Sequence, residues 1–316
     1  MRQSIDVVVP AHNGWRYTES CLEHLRAQTT SHNVIVCDNG STDGTPNRLR
    51  TSFRDVHVLE LGENLGFATA CNRGVGAGDG DIVVLLNNDV DCPPEFLARL
   101  VAPFRERRLG SVAALLLKVE ERLIESFGLA ADPTLAGYPR LRNRPVAEAR
   151  ATRLVLAGPS GAAGAYRREA WEEVGGLDDR VFSYGEDVDL AMRLRTAGWS
   201  TTSAPDAIAV HVGSATAVMR SAWQRYQGGF GRGYFLRRYG VLRDRHAARA
   251  AVTEAIVVLG DALVYSHDLA ALRGRVAGWR AARGLPQHAA PPCDAIDERI
   301  TFLESLRLRR SVYVCT

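Results

Sequence analysis

Positions 81–86 read DIVVLL, one acid followed by five apolar residues with no polar alternation. A run of this kind fits a strand covered on both faces, the usual state of a strand in a parallel sheet with helices above and below. The sequence before it repeats a strand-then-helix rhythm. Residues 5–9 are a short β-branched run ended by Pro10, and residues 17–28 carry helical spacing through Cys21, Leu22 and Leu25. Residues 34–37 form a second strand closed by the turn-rich DNGSTDGT, residues 56–61 a third, and residues 68–76 a helix. Strands alternating with helices predict right-handed βαβ units in an open α/β sheet. Ligands of such sheets sit at the carboxyl ends of the strands, which here carry PAHN, DNGSTDGT and NND.

Over residues 154–212 the pattern changes to short segments joined by glycine-rich turns, with one helix over 188–197 stopped by Gly198. Beyond Ser214 the chain reads as helical and arginine-rich, with a last helix over 294–309 after a proline-containing break. A length of 316 residues fits about two units. The 46% apolar and 24% charged content excludes collagenous, disordered and multispanning chains. Six cysteines without a C-x-x-C pair exclude a zinc knuckle or thioredoxin-like motif and point to a reducing cytosol. The amino-terminal residues read as a first strand rather than a signal peptide, and the apolar stretch 255–265 is broken by Asp261, too short to span a bilayer. The expected location is the cytoplasm, with peripheral contact at the inner face of the plasma membrane as the form any membrane association would take.

Three segments carry chemistry. In LLNNDVD, Asp89 stands just past the buried strand beside Asn87, Asn88 and Asp91, where a carboxylate can hold a hard divalent cation and leave positions for two phosphates. A plain strand-end turn is the competing reading, because Asn and Asp favour such turns. In FSYGEDVDLAMRLRTAGW, Gly185 breaks the chain before the adjacent acids Glu186 and Asp187; preceded by Phe182 and Tyr184, these suit a desolvated pocket in which one carboxylate accepts a proton. Asp189, which opens the amphipathic helix, reads better as a helix-dipole residue. The third is His211 in AVHVGSAT, an imidazole able to complete a carboxylate-bound Mn site.

The series VVVPAHN, VIVCDNGSTDGT, ENLGFATACNRG, DIVVLLNNDV, FSYGEDVDLAMRLRTAGW and HVGSAT resembles, in order and spacing, the family-2 glycosyltransferases of GT-A fold, especially their bacterial rhamnosyltransferase-like branch. The likeness covers about residues 3–240. It implies an open mixed α/β sheet with a Rossmann-like nucleotide-binding half: residues 1–214 as the GT-A catalytic domain (1–110 for the nucleotide-sugar, 111–214 for the acceptor) and residues 215–316 as a helical extension. It further implies that Pro10, Ala11 and Asn13 wrap the nucleotide and that Asp38, with Asn39 as second candidate, meets a pyrimidine base. By the same likeness Asn64, Gly66 and Asn72 line the diphosphate and sugar pocket, and residues 161–164 approach donor sugar and acceptor. Asn87, Asn88 and Asp89 occupy the place of the D-x-D motif, His211 resembles the later metal-binding histidine, and Asp187, with Glu186 beside it, matches the catalytic base.

One departure has chemical meaning. Asn87 replaces the first acid of D-x-D, so the site has one carboxylate fewer and would fill its shell of Mn or Mg only as the nucleotide diphosphate arrives. The expected reaction is an inverting transfer from a dTDP- or UDP-sugar, such as rhamnose, to a hydroxyl of a saccharide, lipid-linked or small-molecule acceptor. A homo-oligomer stays open. Two competing readings are a catalytically idle nucleotide-sugar-binding protein and a sugar nucleotidyltransferase, for which PAHNGWRY is a poor glycine-rich signature.

Charge adds one more feature. The net charge is +3, yet residues 220–249 hold eight arginines and one acid, Asp244, a local +7 that leaves −4 for the rest. Arginines interleaved with aromatics would by themselves allow single-stranded nucleic acid. Following His211 so closely, they are expected instead to border the site and meet a diphosphate or an anionic membrane; a solvated arginine-rich helix is the alternative.

Overall fold

The computed structural model describes residues 3–119, 123–151, 155–212, 221–265 and 268–313. Its first half is β1 (Ile5–Ala11), α1 (Trp15–Arg26), β2 (Asn33–Asp38), α2 (Thr45–Ser52), β3 (His57–Glu60), α3 (Phe67–Gly76) and β4 (Ile82–Leu86). Then come β5 (Val90–Asp91), α4 (Phe96–Val101), β6 (Leu109–Lys118), β7 (Ile124–Ser126), β8 (Leu129–Ala131), β9 (Gly137–Pro139), α5 (Glu148–Ala151), β10 (Ala163–Arg167), α6 (Arg168–Glu173), α7 (Glu186–Thr196) and β11 (Ser200–His211). Helices α8 (Ala222–Arg238), α9 (Ala247–Val264), α10 (Ala270–Ala281) and α11 (Phe302–Tyr313) follow.

The main sheet runs β3-β2-β1-β4-β10-β6-β11-β5. Its first four strands are parallel, β10 is antiparallel to β4 and β6, and β11 is parallel to β6 and antiparallel to β5. Alternation along each strand sends side chains to opposite faces. Val7, Val9, Val84 and Leu86 therefore pack on Leu22, Leu25, Phe96 and Leu100, whereas Val8, Val83 and Leu85 pack on Cys71, Tyr166, Leu190 and Leu194. The DIVVLL strand is buried on both sides as its composition predicts, and the open mixed sheet matches the expected fold.

The helical extension explains the arginine-aromatic segment. Glycines let α8 and α10 touch: a Cβ on Gly274 would lie 2.1 Å from the Tyr226 carbonyl oxygen, and one on Gly229 2.4 Å from that of Ala271. Arg225 is spent on Asp261 and Asp268, and Arg238 on the Pro286 carbonyl and His288. Phe230 stacks on Tyr234 and Phe235 on Tyr239. This ordered interior suits neither a base-stacking strip nor a solvated helix; Arg243 and Arg245 alone of the group's described arginines are exposed.

The last helix begins later than its predicted start at residue 294. Asp297 accepts the Arg299 N–H at 3.1 Å and its guanidinium at 2.8 Å, closing a turn, and the helix opens where Thr301 Oγ1 accepts the Glu304 N–H at 3.2 Å. The expected boundary at 214/215 and Arg220 lie outside the described residues.

Candidate active site

A cleft of about 1420 Å³ opens at the carboxyl ends of β1, β4 and β11, bounded by the turn before α7 and by the helical extension. Of the residues singled out from sequence, Pro10, Ala11, Asn39, Asn64, Asn87, Asn88, Asp89, Gly161, Glu186, Asp187 and His211 line it.

Asp89 follows β4 and is held in place by the short β5–β11 ladder, its carbonyl accepting the Val212 N–H at 2.9 Å. That pairing brings His211, distant in sequence, against it: His211 Nε2 stands 3.1 Å from Asp89 Oδ1. The other ring nitrogen, Nδ1, lies 2.6 Å from Glu125 Oε2. Burial disfavours charge on this imidazole, but the hydrogen bonds to Asp89 and Glu125 outweigh it and push its pKa up to about 10. Glu125, at the middle of β7, carries no motif of its own and was not foreseeable from sequence. Asp91 points elsewhere: Ser20 Oγ donates to it at 2.8 Å and His24 Nδ1 lies 3.4 Å away.

Among the described residues no cluster of three or more His, Cys, Asp or Glu side chains is arranged to hold a metal ion by itself. The donor set is one carboxylate and one imidazole, with a second carboxylate fixing the far ring nitrogen. An outer carboxylate on a histidine ligand is the usual support for a metal-facing Nε2. These residues fit a divalent cation whose remaining ligands come from phosphate oxygens and water.

Asp187 opens α7. Gly185, with φ 103°, and Tyr184, with φ 70°, turn the chain sharply enough to begin a helix at Glu186. Asp187 Oδ2 accepts the Gly161 N–H at 3.0 Å and Oδ1 its neighbour Val188 N–H at 2.8 Å. Glu186 is buried, and its Oε2 has no hydrogen-bond partner among the described residues. Burial, and then the neighbouring Asp187 charge, raise the Glu186 pKa; burial also raises that of Asp187 against its backbone hydrogen bonds. Asp189 instead binds Arg193 and Tyr239 and serves as an internal anchor.

The nucleotide-side loops brace one another. Asn13, at φ 58°, accepts the Thr42 N–H at 2.8 Å and donates its own N–H to Ser41 Oγ. Asn39 bonds Asn64 Oδ1 and the Gly66 carbonyl and accepts the Leu65 N–H. Asp38 lies behind this surface, 2% exposed: Oδ2 accepts the Ser41 N–H at 3.2 Å, and Oδ1 has no partner among the described residues. Asn72 and Gly66 do not line the cleft. Asn72 ties α3 to the Leu177 backbone and Asp179, and Gly66, with φ 89°, packs where a Cβ would meet the Phe182 carbonyl. Asn88 reaches Thr18 Oγ1 at 2.9 Å. His12, in the PAHN motif between two singled-out residues, lines the cleft with Nδ1 2.9 Å from the Asn39 carbonyl oxygen.

Comparison with known proteins agrees with this architecture. Residues 6–175 match the profile of glycosyl transferase family 2, and residues 142–279 that of glycosyl transferase family group 2. The chain is 31% identical over 250 residues to the N-acetylglucosaminyl-diphospho-decaprenol L-rhamnosyltransferase of Mycobacterium tuberculosis, covering 67% of this chain and 76% of that protein. It is 28% identical over 213 residues to glycosyltransferase AglE of Haloferax volcanii, covering 66% of each. In fold it resembles the mannosyltransferase PcManGT of Pyrobaculum calidifontis, solved with GDP-Man and Mn2+, with a TM-score of 0.55 and 21% identity over 99% of this chain and 81% of the other. GalNAc-T7, solved with UDP, GalNAc and Mn2+, gives a TM-score of 0.62 at 14% identity over 98% of this chain and 58% of that one. A family profile spanning more than half of the chain, the rhamnosyltransferase likeness and the shared GT-A architecture lead to one conclusion: this chain is a family-2 glycosyltransferase of the rhamnosyltransferase-like kind.

Proposed function

We propose that the protein transfers a sugar, with inversion, from a dTDP- or UDP-linked donor to a hydroxyl of a lipid-linked saccharide. The observation that carries this reading is the placement of Asp187 and the Asp89–His211 pair in one cleft, supplied by separate elements. Asp187 takes the proton of the acceptor hydroxyl as its oxygen attacks the anomeric carbon, and the pair stands at the leaving diphosphate. Burial raises the Asp187 pKa above the ordinary aspartate range, which makes it a stronger proton acceptor than an exposed carboxylate. A divalent cation bound by Asp89 and His211 supplies charge neutralisation on that diphosphate. Mn2+ in the two fold neighbours supports such a cation.

By the family resemblance Asp38 is the residue assigned to a pyrimidine base; its buried Oδ1, without a partner among the described residues, would accept the ring N–H of uracil or thymine once the loop over it moves aside. A lipid-linked acceptor is supported by the mycobacterial relative's name and by α9. That helix turns Val252, Ile256, Leu259 and Leu263 outward at helical spacing, Leu263 being 74% exposed, and suits the surface of an anionic bilayer. No helix among the described residues is long and apolar enough to cross a membrane. Thermal shift with UDP, dTDP and GDP, with and without Mn2+, tests the donor reading, since a ligand that binds the folded state raises Tm. The expected result is a Mn-dependent rise with a pyrimidine nucleotide; a rise with GDP alone would overturn the base assignment.

A further inference from the structure

Away from Asp89, the cleft is lined by three arginines of the helical extension: Arg232 on α8, Arg275 on α10 and Arg309 on α11. They converge on one carboxylate, Glu254 of α9. Arg232 Nε at 2.7 Å and Arg309 Nη1 at 2.6 Å donate to its Oε1, and Arg275 Nε donates to its Oε2 at 2.8 Å. The side chains of the three arginines are 10%, 11% and 8% exposed. Burial works against the Glu254 charge, but the guanidiniums hold its carboxyl well below the usual range, so it is ionised.

Three guanidiniums against one carboxylate leave two positive charges in excess. Asp132 is a second buried carboxylate whose charge also acts on Arg232 and Arg309; counted together with Arg249, 3.9 Å from it, it leaves the surplus at two. Arg232 Nη1 is buried without an acceptor among the described residues. A clasp joining helices would need only balanced charge, and uncompensated buried charge is costly. A cluster with surplus charge, opening into a cleft, is built for an anion, and the planar guanidinium fork suits phosphate oxygens. The cleft also reaches Val257 of α9, which lies between the exposed Ile256 and Leu259.

We propose that Arg232, Arg275 and Arg309 form a second anion subsite, separate from the donor end at Asp89, that receives the diphosphate of a lipid-linked acceptor. The lipid chain then leaves along the apolar face of α9, and the acceptor saccharide stays in the cleft that holds Asp187. This inference rests on the glycosyl-transfer reading for its occupant, but the subsite is testable without turnover.

Binding of farnesyl diphosphate, inorganic pyrophosphate and farnesol to the full chain is measured by calorimetry in EDTA, where no cation assists the donor end. Both diphosphates should bind and farnesol should not; saturating thymidine or uridine, which carry the base but no diphosphate, should fail to displace them, and Asp89→Ala should leave them bound. Arg275→Gln should weaken both about tenfold, as loss of a charged hydrogen bond implies, with Arg275→Lys in between. Absence of diphosphate binding, displacement by the nucleoside, or an unchanged Arg275→Gln would overturn the subsite. Should Arg275→Gln fail to fold, the competition and Asp89→Ala arms decide alone. Diphosphate binding that persists where no nucleotide sugar is ever turned over would keep the subsite and reject the transferase reading; turnover without diphosphate binding would do the reverse.

Discussion

Replacing Asp187 by Asn separates a catalytic from a structural role, and the local geometry sets what to expect. The carboxylate accepts two backbone N–H groups, Gly161 at 3.0 Å and Val188 at 2.8 Å. The amide keeps one acceptor and turns an NH2 toward the other donor, a loss of about 1 kcal/mol. Against this, removing a buried charge beside Glu186 relieves a repulsion that raises the Glu186 pKa, so net stability should change by no more than about 1 kcal/mol. Catalysis has no such compensation. A positioned general base contributes roughly 10²–10⁴-fold, equivalent to about 3–5 kcal/mol of barrier. The assay pairs nucleoside diphosphate release in the presence of acceptor with nucleotide affinity by thermal shift. Asp187→Asn should lose at least a hundredfold in kcat while its nucleotide Kd stays within about twofold. Retention of a tenth of the activity, or a parallel loss of nucleotide affinity, would refute the assignment.

Other outcomes follow from the same structure. Asp89→Ala should weaken donor binding and abolish its dependence on Mn2+, read as loss of the Mn-induced Tm increment; an undiminished increment would reject Asp89 as a ligand. Because burial and mutual charge raise the pKa values of Glu186 and Asp187, the folded chain keeps protons that the unfolded chain releases. Their contribution to stability is therefore fully present below about pH 4 and is lost as pH rises through the raised values. Glu186→Gln should flatten that fall in a Tm–pH series, and an unaltered slope would show the pair is not its source. Gly185→Ala introduces a Cβ that would meet only the Gly231 Cα, at an ordinary 3.9 Å, but at φ 103°, so it should cost about 1 kcal/mol or somewhat more in denaturant unfolding through backbone strain. Leu263→Glu should reduce cosedimentation with anionic vesicles without changing turnover of a short-chain acceptor; equal cosedimentation would remove α9 from the membrane contact.

Periodicity made the nucleotide-side half legible. Residues 82–86 have no polar face, and the glycine- and asparagine-rich loops after β1 and β2 mark strand ends, so the parallel order and the position of the site both follow from the residues. The ten-residue β6, LGSVAALLLK, was not legible: its continuous apolar run VAALLL cannot be assigned to strand or helix by periodicity. Glu125 was hidden for a different reason, because its meaning comes from a ladder between β6 and β7 that no local signal announces. Asn72 shows the opposite limit. Its motif position implied the sugar pocket, yet its amide is saturated by the Leu177 backbone and Asp179. The arginine-aromatic stretch was only half legible: Arg232 lines the cleft, but the acids that partner its arginines, and the α10 glycines that pack against α8, lie at a distance in sequence.

A cation-assisted inverting transfer from a pyrimidine nucleotide sugar, with Asp187 as base, can be followed in a single reaction by NMR. The full chain is incubated with dTDP-β-L-rhamnose, Mn2+ and a saccharide-diphosphate-lipid acceptor, and the anomeric signal of the product is read. An α-linked product should form with Mn2+, not in EDTA, and not with Asp187→Asn. A product retaining the donor's configuration, or one that forms unchanged in Asp187→Asn, would contradict it.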